Sequence, residues 1–546
     1  MMTTQAVTRI AVIGFGPRGL GALEALADRC SGERLAFQVD VFDSSPCPGA
    51  GPNFDPAEPA FCLLNIPHRD IAIRPPEWSN VGPFAEWQRG EIDPDTFPTR
   101  ADLGRYLEAR RVDLFARGFE GSDSSVQLIS ASATEISRRA EGWKVRAGGE
   151  VYGPYAEVLL TLGQPSVHPD DQLAEWQNHA AATEADLVPA YPARHFAEAA
   201  TQWRGKSVAI RGLGLSTFDV LRGLTVAQGG VFEGSRYRPS GAEPARILPF
   251  SLNGQPPYPK AETDFLDAMF TPTDAETAGF SEKAALASNA YAQTAEQLIS
   301  AALIPPVARI LAEHGITQSA IANWLEQEWS EPGTQDAAPP LETLTNGIDM
   351  ARGHLPPSIG YAVGQVWRKW QDDWRAAFNP RQTRPETAKR LIGFDEGLKR
   401  YSYGPPLSSA RELLALVDAG LVDLDCASDP QITTIPGGWA LTTGTAEAEV
   451  AVMIDAVLPQ PDLGALSEPP LPALIAAGDL THVASGLAAA TAPDGSLYNE
   501  EGHLVSGLCL LGRLALGSVT AVDSLHDCFG RSADRWVEGV LSRAAE

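Results

Sequence analysis

The sequence predicts an α/β fold: two Rossmann-like, dinucleotide-binding domains, each with a β-meander, plus an inserted, mainly helical region. Three observations predict it. An apolar strand runs straight into a glycine turn and a helix near the N-terminus. The same order of parts returns at 206–227, and from 261 to 390 the text becomes helical in composition and period.

In the first unit Ile10-Ala11-Val12-Ile13 reads as a short buried strand. Gly14-Phe15-Gly16-Pro17-Arg18-Gly19 is the turn, and the helix starts at Leu20-Gly21-Ala22-Leu23. Gly14 permits the turn, Gly16 lets backbone approach phosphates, and Gly19 lets the helix pack on the strand. The helix N-terminus adds amide donors and the positive end of its dipole. A second strand from Phe37 ends in Asp43, 24 residues past Gly19 and near the spacing of about 20 for a ribose hydroxyl acceptor. Gly14, Gly16, Pro17, Arg18, Gly19 and Asp43 are therefore candidate cofactor-binding residues.

The Gly/Pro-rich stretch from Cys47 to Pro52 and the segment Phe61 to Asp70 read as an irregular connection able to line a ligand. From Val126 to Val167 short β-like runs alternate with turns, predicting a meander that begins at Val126-Gln127-Leu128-Ile129 and returns to the sheet at Thr161-Leu162-Gly163. The second unit opens with the strand Lys206 to Arg211, the turn Gly212-Leu213-Gly214-Leu215-Ser216 and a helix from Thr217 to Ala227. Gly212, Gly214 and Ser216 keep that backbone approachable, while Thr217 stands where a third glycine would ease packing.

Trp367, Trp370 and Trp374 fall on one face of a helix in the inserted region, which reads as packing between helices rather than a substrate platform. After a helix over Arg411–Ala419 closed by Gly420, the strand Leu421-Val422-Asp423-Leu424 and a meander through Glu449–Ile454 are expected. A return strand over Asp455–Pro459 and a last helix from Ser518 follow. The expected domains are 1–200 with 456–546, 201–260 with 391–455, and the helical insertion 261–390.

A formal charge of −27, from 69 acidic against 42 basic residues, argues against nucleic acid or an anionic membrane as partner. The six cysteines show no CxxC spacing and no clustering with histidine, so neither a metal site nor a redox dithiol is indicated. Their dispersal suits a reducing cytoplasm, and the N-terminus has no cleavage-like segment. Leu504–Val522 is broken by glycines and Arg513 and is not expected to span a membrane. No Ser-His-Asp signature and no HxxxH pattern is present.

The set Gly14-Phe15-Gly16-Pro17-Arg18-Gly19-Leu20, Leu64-Asn65-Ile66-Pro67, Gly212-Leu213-Gly214-Leu215-Ser216, Tyr237 to Pro244 and Gly512-Arg513-Leu514 resembles the bacterial FAD/NAD(P)-binding oxidoreductases with a GxGPRG signature. That group is similar to the flavin-dependent N-hydroxylating monooxygenases, including enzymes that oxidise the amine of an amino acid such as aspartate. The resemblance implies FAD at the first turn and NADPH or NADH at the second, with O2 as cosubstrate. Asn65 would lie near the isoalloxazine, Gly163 would close the family's strand-end motif, and Gly512 with Arg513 would touch the ribityl chain or ring edge.

By the same resemblance NAD(P)H reduces FAD and O2 adds at the flavin C4a position. The hydroperoxide so formed oxygenates an amine, water is kept out, and burial favours the neutral amine. His68 and Arg69, with Arg74 beyond, are candidates for a substrate anion site or for orienting the flavin, against a structural role; a dicarboxylate needs two cations. Lys399 and Arg400 are further candidates. Relatives carry a Ser-Arg pair where this chain has Ser251-Leu252, which removes the ground for an NADPH preference and admits NADH, though Arg236, Arg238 or Lys260 could substitute. The substrate expected is a small amino acid, and a homo-oligomer is compatible with the sequence. Two alternatives stay open: a carbon-hydroxylating (purine- or urate-type) or NAD(P)H-oxidising flavoprotein, and a redox-sensing flavoprotein without turnover.

Overall fold

A computed structural model describes residues 7–30 and 36–545. Strands β1 (Val7–Ile13), β2 (Ala36–Phe42), β3 (Ser125–Ile129), β7 (Glu157–Leu160), β17 (Ser496–Tyr498) and β18 (Leu504–Leu510) form the first sheet, ordered β17-β18-β7-β1-β2-β3. All its pairings are parallel except β17 with β18. The near-continuous apolar text of β1 is explained by coverage on both faces. Ile10 and Val12 pack with Leu23, Leu26 and Trp536 of helices Pro17–Cys30 and Arg531–Ala545, whereas Ala11 and Ile13 pack with Trp143 and Tyr155. The one acid inside the second strand, Asp40, is buried but satisfied by Arg9, Gln127 and the Tyr155 hydroxyl.

The antiparallel meander β4 (Ala133–Arg139), β5 (Gly142–Ala147), β6 (Glu150–Tyr155) supplies that second face. The second sheet, ordered β12-β9-β16-β8, is wholly parallel and joins β8 (Asp186–Pro189), β9 (Ser207–Arg211), β12 (Arg246–Phe250) and β16 (Val452–Asp455). Its strands before and after the glycine turn repeat the plan of the first sheet: β9 lies between its next strand β12 and the return strand β16, as β1 lies between β2 and β7. The hairpin β10 (Val231–Glu233), β11 (Arg236–Arg238) and the meander β13 (Gln431–Ile435), β14 (Gly438–Thr442), β15 (Glu447–Val450) flank it.

Between β12 and β13 the chain is helical from Asp264 to Asp418. Trp367, Trp370 and Trp374 are buried, with Phe280 stacked on Trp370 at 4.2 Å, so this aromatic face is core. That core runs without a break into the second sheet through Val208 and Ile210. One helical stretch among the described residues, Ala292–His314, is long and apolar enough to cross a membrane by length and composition. Here it buries Ala295, Ile299, Leu303, Val307 and Leu311 against the other helices.

Several boundaries differ from the sequence expectation. Val126–Ile129 belongs to β3, the parallel edge of the first sheet, and not to the meander. Both return strands lie earlier than expected, at Glu157–Leu160 and Val452–Asp455, the second inside the Glu449–Ile454 stretch expected as meander, so Thr161–Gly163 and Val457–Pro459 become loops over the sheet ends. Asp186–Pro189, inside the stretch assigned to the first domain, pairs with β16 of the second. Leu421–Leu424 makes one bridge to Ile247 instead of a strand, because Asp423 and Asp425 turn the chain away. The last helices begin at Leu525 and Arg531, after a loop rather than at Ser518.

Candidate active site

At the first turn Gly14 has φ +83°, and a Cβ there would sit 2.9 Å from Thr161 O. A Cβ on Gly19 would meet Gly14 O at 2.9 Å, so strand and helix touch where glycine allows it. Gly16 faces only the Cα of Gly51, at 3.7 Å from its added Cβ, because Cys47–Gly51 folds over the turn and Gly49 N–H donates to Phe15 O. Pro17 occupies the first helical turn, where its missing N–H costs nothing. Thr161, just past β7, clamps the turn, its hydroxyl donating to Gly14 O at 2.5 Å and its N–H to Ile13 O. The carboxylate of Asp43 accepts from Phe15 N–H at 2.5 Å and Ser45 N–H at 2.6 Å, which ties the second strand's end to the turn.

This cradle fits a dinucleotide. Backbone is bare at Gly16, the helix's first amides have no carbonyl a turn earlier to bond, and a fixed carboxylate stands at the end of β2. Gly163, φ +65°, would place a Cβ with no atom within 4 Å. Arg18 turns the other way: buried, it pairs with Asp527 at 2.5 Å and donates to Asp527 O and Val522 O. The added Cβ of Gly512 would lie 3.5 Å from Arg18 Nε, so these two residues pack together. Arg513 pairs with Asp523 at 2.5 Å and donates to Gln164 Oε1 and Pro459 O, bridging the loops after β7 and β16.

At the second turn Gly212 has φ +123°, while Gly214 is exposed with nothing within 4 Å of an added Cβ. Ser216 is half-buried on the helix Leu215–Leu224. Thr217 is buried, and its hydroxyl donates to Gly212 O at 2.9 Å, so this side chain closes the turn that a third glycine would have left to backbone packing. After β12, Leu252 is 88% exposed; of the cations expected to stand in for an arginine there, Arg238 pairs with Glu233 and Lys260 donates to Asn65 O.

The connection carrying Asn65 meets the helical region. Leu64 N–H donates to Pro98 O, fixing the approach, and the Asn65 carboxamide has no hydrogen-bond partner among the described residues. His68 Nδ1 bonds Thr96 O at 2.8 Å, and its ring stacks on Phe84. Arg69 pairs with Asp95 and lies 3.8 Å from Asp70 and 3.9 Å from Asp264. Both side chains therefore serve the scaffold of this segment. Lys399 pairs with Asp523 and Glu396, and Arg400 clamps the carbonyls of Gly333, Gln335 and Asp336.

Lys260 reaches across to donate to Asn65 O, and no carboxylate among the described residues lies within ion-pair distance of its ammonium. Burial, helped by Arg368, pulls its pKa down to about 7. In the sequence Lys260 stands out only as a spare cation for a phosphate. Its bond to Asn65 spans 195 residues and leaves no local signal. Thr161, the turn's clamp, was visible only through the family motif.

Residues 11–165 match the family model described as FAD-NAD(P)-binding. The nitrosuccinic acid synthase of Aspergillus oryzae is 24% identical over 84% of this chain and 80% of its own length. An L-aspartate N-monooxygenase (nitrosuccinate-forming) of Streptomyces cremeus is 28% identical over 48% of this chain and 45% of its own. Among solved structures the FAD-bound cadaverine monooxygenase of Erwinia amylovora superposes with a TM-score of 0.52 at 10% identity, covering 99% of this chain and 94% of that one. The fold is thus that of the Erwinia cadaverine monooxygenase.

Proposed function

We infer that this chain, an FAD-dependent, NAD(P)H-consuming monooxygenase of the flavin N-hydroxylating family, oxygenates the amine of L-aspartate. The observation that carries the substrate is the alignment, over most of both chains, with the Aspergillus nitrosuccinic acid synthase. The two Streptomyces enzymes named for L-aspartate support it over about half of this chain.

FAD held here would supply hydride acceptance from NAD(P)H and activation of O2. The chain's own part is to bind, orient and exclude. Gly14, Gly16 and Gly19, with the amides opening the helix Pro17–Cys30, take the pyrophosphate, and Asp43 takes the adenosine ribose. Gly212, Gly214 and Ser216 take the nicotinamide dinucleotide. The reaction space lies where the Asn65 segment, the residues after β12 and the helical region meet, and closure there keeps water from the oxygen chemistry. A dicarboxylate amino acid is brought to that junction, where Lys260 donates to Asn65 O while Arg69 and Arg368 stay paired with Asp95 and Asp267.

The test is stoichiometric. Purified protein is expected to carry flavin absorbance and to consume one NAD(P)H and one O2 per oxygen delivered to L-aspartate, with hydroxylamine or nitroso product identified by mass. Nicotinamide oxidation that yields only hydrogen peroxide across a panel of amino acids overturns this reading.

A further inference from the structure

We propose that Lys260 is the base that removes a proton from the substrate ammonium. The assignment rests on the amine-oxygenating reading above and deepens it. An ammonium has no lone pair to accept oxygen, so an N-oxygenating site needs a proton acceptor within reach of the amine.

The geometry at the junction singles out this lysine. Its backbone is held by the helical region, where Lys260 N–H donates to Pro405 O and the neighbouring Pro259 O accepts from Tyr361 O–H. Its head group crosses to the Asn65 carbonyl of the first domain's connection. Charged groups face it from each element packed around it: Asp70 and Arg69 from the connection, Asp267 from the helix Asp264–Ala268, and Arg368 from the helix Ile359–Lys369. The two arginines are already paired, Arg69 with Asp95 and Arg368, like Lys369, with Asp267. Lys260 alone of this group bonds only a carbonyl, which leaves a neutral amine's lone pair free to accept. Burial and the two arginines disfavour its charged form, and its pKa of about 7 suits proton transfer near neutrality.

The step is balanced. An N–H bond of the substrate ammonium breaks, its electron pair stays on the substrate nitrogen, and a new N–H bond forms at Lys260 Nζ. Over the whole reaction R–NH3⁺, NADH and O2 give R–NHOH, NAD⁺ and H2O, so the proton that Lys260 takes equals the one that water formation consumes.

The first experiment reads the lysine without turnover. Oxidised, FAD-containing enzyme is acetylated with limiting acetic anhydride over a pH series, with and without L-aspartate, and modification of Lys260 is counted by peptide mass. A midpoint near pH 7 supports the assignment; a midpoint at the ordinary lysine value of about 10.4 overturns it whatever the substrate proves to be. The second uses Lys260→Ala, whose coupled product formation is expected to fall roughly 100-fold or more and to return with added methylamine. A variant that keeps its flavin absorbance but is not rescued overturns the base. Failure of L-aspartate alone, with the low midpoint intact and another amine both turned over and rescued, overturns the aspartate reading and leaves Lys260 supported.

Discussion

Asp43 holds two backbone amides on one carboxylate, Phe15 N–H and Ser45 N–H, so the residue that ends β2 also fixes the shape of the glycine turn. Charge-assisted bonds of this kind contribute about 1.5–3 kcal/mol each. Asp43→Asn is expected to weaken FAD binding at least about tenfold, read by quenching of flavin fluorescence on titrating the apoprotein; unchanged affinity would show that the turn holds without the charge. Leu252 argues the opposite case, a missing charge. It stands exposed just after β12, where a 2′-phosphate would lie, and the loop beside it presents Asp429, whose N–H donates to Ser251 O. NADH is therefore the expected reductant. Leu252→Arg should raise kcat/KM for NADPH by about 10-fold or more while leaving NADH nearly unchanged, since one bidentate contact to phosphate is worth about 1.5–3 kcal/mol. A wild-type enzyme already faster with NADPH would refute this.

At the scale of elements, the C-terminal loop is locked to the helical region through one buried acid. Asp395 accepts from Trp367 Nε1–H at 2.7 Å and from the Thr520 hydroxyl at 2.8 Å, while Thr520 Oγ1 accepts from Trp374 Nε1–H at 3.0 Å. Asp395→Ala leaves an indole donor and a hydroxyl buried without their acceptor, at about 1–3 kcal/mol for each. A drop in Tm of several degrees, with loss of protection from proteolysis in 512–523, is the expected result. The three tryptophans were legible in the sequence as a helical face, and both glycine turns as strand–turn–helix units, because local period and glycine spacing encode them. The partners were not. Arg18 pairs with Asp527 across 509 residues, and Trp374 reaches Thr520 across 146, distances over which sequence carries no periodic signal. The return strands were placed a few residues late for a related reason: apolar text continues past Leu160 into Leu162, and only the pairing with β1 decides where the ladder stops.

For the molecule as a whole the pH response follows from acids the fold has buried. The formal charge of −27 already favours expansion as pH rises. Glu328 adds a specific contribution: fully buried, it accepts Gly333 N–H on one oxygen and has no partner for the other among the described residues, and burial pushes its pKa up to about 7. Arg400 opposes that shift and Asp336 adds to it. The folded state thus holds this proton more tightly than the unfolded chain, whose glutamate titrates near its ordinary value of about 4.3. The resulting stability is fully present below that value and is lost as pH rises through about 7, on the order of 3 kcal/mol across the window. Tm measured across this interval should decline in the parent protein, and Glu328→Gln should flatten the decline because the amide cannot ionise. Equal slopes in the two proteins would mean that the buried carboxyl is solvated or paired in solution, and that the acidic surface alone sets the response.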